Sequence, residues 1–212
     1  MVKIKTFVFS PLQVNTYLVF DESGKCVIID PACYDDKEKF ILVDFIKKEN
    51  LEPVLLLSTH GHIDHILGNN FVIKEYNIPF KTHKDSVFFI ENAREHAQAF
   101  GFEVQDQVKP DGFIDNGDIV SFGDQQFEVI HLPGHADGSL CFYHIEQKLL
   151  FCGDVLFKGG IGRADLPTGD YNKLISNINE KLMVLPEDVR VFPGHGPETT
   201  IGYEKSNNPF IS

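Results

Sequence analysis

The chain has 212 residues, a formal net charge of -12 and a hydrophobic fraction of 42%, with 19 phenylalanines and no tryptophan. Length and apolar content suit one globular domain over residues 1–212 with a Phe-rich core. The acidity excludes nucleic acid as the main partner, because phosphate binding needs a basic footprint.

Residues 2–9 alternate as a strand does. Strands at 15–20 and 25–29 follow, joined as a hairpin by the turn Asp21-Glu22-Ser23-Gly24. Asp30-Pro31-Ala32 stops the third strand, and a helix is expected over 35–50. A buried strand at 53–57 leads into a helix at 65–75. A short strand at 80–82 precedes a helix over 84–99, and 101–116 is the least regular stretch. Strands are expected at 118–122, 126–131, 139–145 and 148–152, then a Gly-rich loop at 159–170, a helix at 171–185 and a strand at 189–192. Two comparable blocks of strands and helices predict two packed sheets with helices outside.

No stretch is long and apolar enough to span a bilayer, so no membrane is expected. The N-terminus lacks an apolar run followed by a small-residue cleavage site, which makes the cytoplasm the expected location. Cys26, Cys33, Cys141 and Cys152 form no close ligand pair and read as reduced thiols. Burial is the expectation for these thiols, with exposure left open for Cys33 because it falls in a loop.

Residues 59–65 read T-H-G-H-I-D-H, a polar cluster at a strand exit. His60 and His62 are two apart, so on extended backbone their imidazoles share one face and can reach one metal ion. Asp64 and His65 fall where the loop turns into a helix and could point at a second position nearby. Imidazole nitrogen with carboxylate oxygen suits zinc, and also iron or manganese. Three later loops have the same form, placing His135, Asp154 and His195 just after a strand, each behind a glycine. Together the four loops hold five histidines and two aspartates of metal-ligand type.

The H-x-H-x-D-H motif, Pro133-Gly134-His135, Gly153-Asp154 and Gly194-His195 resemble the metallo-β-lactamase superfamily in order and context. The resemblance covers essentially the whole chain and begins at Ile28-Ile29-Asp30-Pro31. More closely, residues 133–139 (PGHADGS), 153–157 (GDVLF) and 162–166 (GRADL) are similar to the glyoxalase II group of hydroxyacylglutathione hydrolases. The chain ends shortly after His195, as in short bacterial members without the C-terminal helical domain.

The resemblance implies an α/β (α+β) fold arranged as a four-layer αββα sandwich. It implies a site for two divalent metal ions, zinc first, with iron or manganese as substitutes. His60, His62 and His135 would hold the first metal, Asp64, His65 and His195 the second, and Asp154 would bridge them. Asp30 would stand behind the ligands and orient one of them, although capping the turn after its strand explains it nearly as well. The implied reaction is hydrolysis of a small-molecule acyl thioester of hydroxyacylglutathione type. The attacking hydroxide would bridge metals about 3.5–4 Å apart, with Asp64 and Asp154 as the carboxylates at the reacting centre. Arg163 matches a basic residue that contacts the thiol-peptide portion of the substrate; a structural pairing with Asp165 is an equal reading.

Without the helical domain, another thiol carrier or a broad ester or lactam range stays open. So does a persulfide dioxygenase with one iron. Aspartate at 154, and histidine or aspartate wherever many dinuclear lactamases carry cysteine, weigh against a lactamase. His83, His96, His131 and His144 match no ligand position and read as surface or core residues. His131 is the one most able to stand behind the site. Phe88, Phe89, Phe100 and Phe102 place the 84–116 segment either over the site mouth or in ordinary core packing. Nothing in the chain marks its oligomeric state.

Overall fold

Two six-stranded sheets face each other in the computed structural model, which describes residues 1–211. The first holds, in order, β1 (Lys3–Phe9), β2 (Val14–Phe20), β3 (Lys25–Ile29), β4 (Glu52–Leu57), β5 (Phe80–Thr82) and β6 (Gly112–Phe113). Its first three strands are antiparallel, and β3 to β6 run parallel. The second sheet is built from β7 (Ile119–Phe122), β8 (Gln125–His131), β9 (Leu140–His144), β10 (Leu149–Gly153), β13 (Arg190–Pro193) and β14 (Thr199–Thr200). Its order is β14-β13-β10-β9-β8-β7, and β10 pairs parallel with β13. A small hairpin of β11 (Leu156–Phe157) and β12 (Gly160–Ile161) stands apart.

The period-two side-chain alternation of these strands makes the four layers. In β3, Val27 and Ile29 pack between the sheets, while Cys26 and Ile28 face outward to α1 (Asp36–Lys48), α2 (Ile63–Ile66) and α3 (Asn69–Tyr76). In β10, Leu149 and Phe151 point inward, while Leu150 and Cys152 face outward against α6 (Tyr171–Asn177) and the π-helical turn Ile178–Leu182. The inner layer is Phe-rich as expected, with Phe127, Phe142, Phe151 and Phe192 in ring contact. The αββα sandwich implied by the resemblance is present. Among the described residues no helix is long and apolar enough to cross a membrane.

Three helices differ from expectation. The 65–75 helix breaks into α2 and α3 at Leu67-Gly68, because the Gly68 amide turns to the Pro31 carbonyl at 2.7 Å. A Cβ at Gly68 would collide with that carbonyl and with Cys33 Sγ. The same contact shows why Cys33, although in a loop, is fully buried like the other thiols. The 84–99 helix is a 3₁₀ turn, Lys84–Ser86, followed by α4 (Val87–Glu91) and α5 (Ala93–Ala99). It breaks at Asn92, whose side chain bonds the Phe88 carbonyl at 2.7 Å and competes with the backbone ladder. The 171–185 helix holds α-geometry only to Asn177.

A last helix, α7 (Ile201–Asn207), was not expected. Seven residues are too few for its apolar period to show. Its buried Glu204 accepts from the Gly159 amide at 3.0 Å, the Asn208 amide at 2.7 Å and the Thr199 hydroxyl at 2.5 Å. These bonds tie the helix to the β11–β12 hairpin, which leads directly to Arg163. Glu204→Ala leaves three donors without an acceptor, and the expected loss of unfolding free energy is about 3 kcal/mol. Urea denaturation measures it; a loss below about 1 kcal/mol would show that water replaces the carboxylate at no cost.

Candidate metal centre

Four strand ends meet at one rim of the sandwich. The loop after β4 brings His60 and His62, and α2 carries Asp64 and His65. The loops after β8, β10 and β13 bring His135, Asp154 and His195. His135 Nε2 lies 2.9 Å from His62 Nδ1 and 3.3 Å from His60 Nε2, so three imidazole nitrogens converge. Beside them, Asp64 Oδ2 lies 3.7 Å from His65 Nε2 and 3.3 Å from His195 Nε2. Each trio has its ligand-type atoms within 4.8 Å of one another. Asp154 stands between the trios: its Oδ1 is 3.3 Å from His65 Nε2, and its Oδ2 is 3.5 Å from His195 Nε2 and 3.8 Å from His135 Nε2.

The far nitrogens of the buried histidines are held by acceptors, which sets their tautomers. His135 Nδ1 faces the Arg163 carbonyl at 2.7 Å, which can only accept, so Nδ1 carries the hydrogen and Nε2 the inward lone pair. His65 Nδ1 donates to Asp30 Oδ2 at 2.9 Å. The Thr59 hydroxyl donates to the same Oδ2 at 2.6 Å and therefore accepts from His60 Nδ1 at 3.0 Å. Asp30 Oδ1 takes the Thr59 amide at 2.7 Å. Asp30 thus orients two histidines at once, one directly and one through Thr59, the arrangement that raises ligand basicity in metal sites. Sequence reasoning missed Thr59, which carries no ligand signal of its own.

The His195 loop is held by the opposite sheet. Val14 forms a bridge with His195, and the Asn15 amide donates to the Gly194 carbonyl at 2.7 Å. The Asn15 side chain reaches the Pro193 and Gly196 carbonyls at 3.0 and 2.8 Å, and Tyr17 Oη donates to Pro193 at 2.6 Å. Gly194 has to be glycine here: a Cβ would run into the Asp154 carboxylate and the His65 ring. Asn15 and Tyr17 were also missed, since their partners lie 178 and 176 residues away.

Burial holds His60 well below the ordinary imidazole range, with His65 and His62 adding to it. Burial and the neighbouring His135 push His62 down to about 3, and burial lowers His135 as well. This trio is neutral at pH 7 and offers lone pairs. Burial also opposes charge on His65, but Asp154, Asp64 and Asp30 outweigh it and hold its pKa well up. Burial works against ionisation of Asp154 too, and His65, His135 and His195 overcome it, so its carboxyl sits far below the usual range.

The residues fit a metal on their own evidence. His65 Nε2 and Asp154 Oδ1 are both buried, face each other at 3.3 Å and form no hydrogen bond. A buried polar atom left unpaired costs about 1–3 kcal/mol, so a cluster of them marks a place for a cation. The donor set, imidazole with carboxylate, is that of divalent transition metals.

A family model described as the metallo-beta-lactamase superfamily matches residues 9–195, from the end of β1 to the last of the clustered histidines. The chain belongs to the metallo-β-lactamase superfamily. As such it is a metal-dependent hydrolase. It is similar to hydroxyacylglutathione hydrolase GloC of Haemophilus influenzae, with 41% identity over 204 residues, 94% of this chain and 93% of that protein. Among solved structures it is similar to BLEG-1 B3 metallo-beta-lactamase, at 36% identity and a TM-score of 0.90 over 99% of this chain and 100% of that one. It is similar also to TTHA1623 in a di-iron-bound form, at 37% identity and a TM-score of 0.88 over 98% and 100%.

On this metallo-β-lactamase scaffold a cleft of about 290 Å³ opens over His62, Asp64, His135, Asp154 and His195. Phe89, His96 and Phe100 line it, so the 84–116 segment does cover one side of the mouth, while Phe102 packs in the core. His96 therefore stands nearer the site than its sequence suggests. Arg163 lines the opposite side, but its guanidinium is paired with Asp165 through Nε at 2.7 Å and a second nitrogen at 2.8 Å. Its backbone carbonyl, rather than its charge, touches the histidine cluster. His131 does not reach the ligands: its Nε2 donates to the Asp137 carbonyl at 2.6 Å and its ring stacks on His83 at 4.0 Å. His144 bonds Gln125 at 3.0 Å in the core.

Proposed function

We propose that this chain hydrolyses a small acyl thioester, with two divalent metal ions held by one hydrolase unit spanning residues 1–212. His60, His62 and His135 hold one ion, Asp64, His65 and His195 the other, and Asp154 bridges. The observation that carries this reading is the position of Asp154, within 3.8 Å of His135 on one side and 3.3 and 3.5 Å of His65 and His195 on the other. Similarity to a hydroxyacylglutathione hydrolase supports a thioester of a thiol peptide as the substrate. Zinc is the first expectation for an all-nitrogen-and-oxygen set, and the di-iron form of TTHA1623 makes iron its rival.

When bound, the two cations acidify water and polarise a carbonyl oxygen. The chain's residues arrange for this. In the neutral trio, His60 and His135 keep their lone pairs inward because Thr59 and the Arg163 carbonyl occupy their far nitrogens, and His62 turns Nδ1 toward His135 Nε2. Asp64 and Asp154 supply negative charge where the cations sit. No side chain serves as a covalent nucleophile: burial pushes the Cys152 thiol up to about 12, and it faces the outer layer of β10. A thiolate leaves without strong acid assistance, which suits a cleft whose acids are all ligands. Arg163 meets a substrate carboxylate only by exchanging Asp165 for it. Cytoplasmic conditions fit the four free cysteines.

Protein purified without chelator is expected to carry close to two metals per chain by elemental analysis and to turn over S-lactoylglutathione. One iron per chain, with oxygen consumed on glutathione persulfide, would replace this reading with the dioxygenase. Similarity to a B3 metallo-beta-lactamase favours a second reading, lactam hydrolysis. A cephalosporin cleaved with higher kcat/KM than any thioester would establish it.

A further inference from the structure

The two sides of the cleft differ in chemistry. On the His62 side the wall is apolar. Phe89, only 2% exposed, stands edge-on to the His62 ring at 4.7 Å, and Leu12, Ile63, Ala99 and Phe100 extend the surface outward. His96 is the only polar lining side chain there besides the ligands, and its ring lies 5.7 Å from that of Phe89. Phe100 is 52% exposed and closes the outer end. On the His135 side lie Arg163, Leu166 and Pro167, with the Arg163 guanidinium paired to Asp165 at the protein surface.

A thioester has two arms about its carbonyl, the acyl group and the thiol. A carbonyl seated over the ligands directs one arm along each side. The His135 side, where Arg163 adds a guanidinium beside Leu166 and Pro167, matches the carboxylate-bearing thiol peptide. The apolar side matches hydrocarbon and gives a 2-hydroxyl almost nothing to bond.

We propose that the Phe89–Phe100 wall is a subsite for an apolar acyl chain, so that the preferred substrate is a thioester of an unsubstituted alkanoyl group rather than of a short hydroxyacyl group. The proposal rests on the thioester reading above and names its acyl group. The reaction is balanced by water alone: its oxygen joins the carbonyl carbon, the C–S bond breaks, and carboxylic acid and thiol leave. Phe89 is fixed by burial, so the wall exists before substrate arrives and the chain gains by leaving water.

The test is kcat/KM of the metal-loaded enzyme on glutathione thioesters with acetyl, butanoyl, hexanoyl and lactoyl groups. The expected result is a rise of about fourfold per methylene from acetyl to butanoyl, with lactoyl below butanoyl. Phe100→Ala and Leu12→Ala, both at solvent-reachable positions, are expected to flatten that rise. The same slope is expected when the thiol is N-acetylcysteamine, which assigns the gain to the acyl arm. Lactoyl equal to or above butanoyl, or a slope untouched in both variants, overturns the subsite and leaves thioester hydrolysis standing. No turnover of any thioester overturns both.

Discussion

Asp154→Ala is expected to strip both metals and to lower kcat/KM by at least about a thousandfold. The carboxylate serves both trios, so its loss removes a ligand from each. It also leaves His65, His135 and His195, at 3.3, 3.8 and 3.5 Å, without the anion they share. Asp154 adds nothing to the apolar layers, so the fold is expected to persist, and circular dichroism checks that. Elemental analysis and kcat/KM on the same preparation read the outcome. A folded variant with two metals and full turnover would end the bridging assignment.

Asp30 is expected to act on stability and on metal affinity together. Its carboxylate is 2% exposed and accepts from the Thr59 amide, the Thr59 hydroxyl and His65 Nδ1 at 2.7, 2.6 and 2.9 Å. Asp30→Ala strands those donors in the interior, and a loss of about 3–5 kcal/mol is expected. Asp30 also sits at φ 49°, in the left-handed region where Asp and Asn are tolerated best. Asp30→Asn therefore keeps the backbone and separates the second effect. It retains one acceptor for the Thr59 amide but turns an NH₂ toward the Thr59 hydroxyl and His65. Metal affinity is expected to fall about 10–100-fold. Titration against a competing chelator measures this. Wild-type affinity in Asp30→Asn would leave Asp30 only its part in capping the strand.

The strand-exit spacing of the ligand-type residues is legible because it is local. His60 and His62 share a face whatever the fold, and a glycine before His135, Asp154 or His195 marks a tight exit. All seven side chains singled out in the sequence converge at the rim. The layering is legible too, from the two comparable blocks of strands and helices, whereas the strand order within each sheet is not. The helices are less legible. Gly68 and Asn92 end helical runs through bonds to Pro31 and Phe88, and of these only the Asn92 contact is close in sequence. Arg163 has two equal readings in the sequence, contact with substrate or pairing with Asp165. Its guanidinium pairs with Asp165, and its carbonyl meets His135, a contact no residue type announces.

Donor identity, the order of the loops and the two-sheet architecture are properties of short segments, and the amino-acid order is enough to read them. Which nitrogen of His60, His65 and His135 points inward depends on Thr59, Asp30 and the Arg163 carbonyl. The placement of His195 depends on Asn15 and Tyr17, and the apolar side of the cleft on where α4 and α5 lie over His62. These contacts join segments as far as 181 residues apart. Only the packed sandwich brings them within hydrogen-bond reach, so the orientation of the ligands and the shape of the substrate wall are tertiary properties.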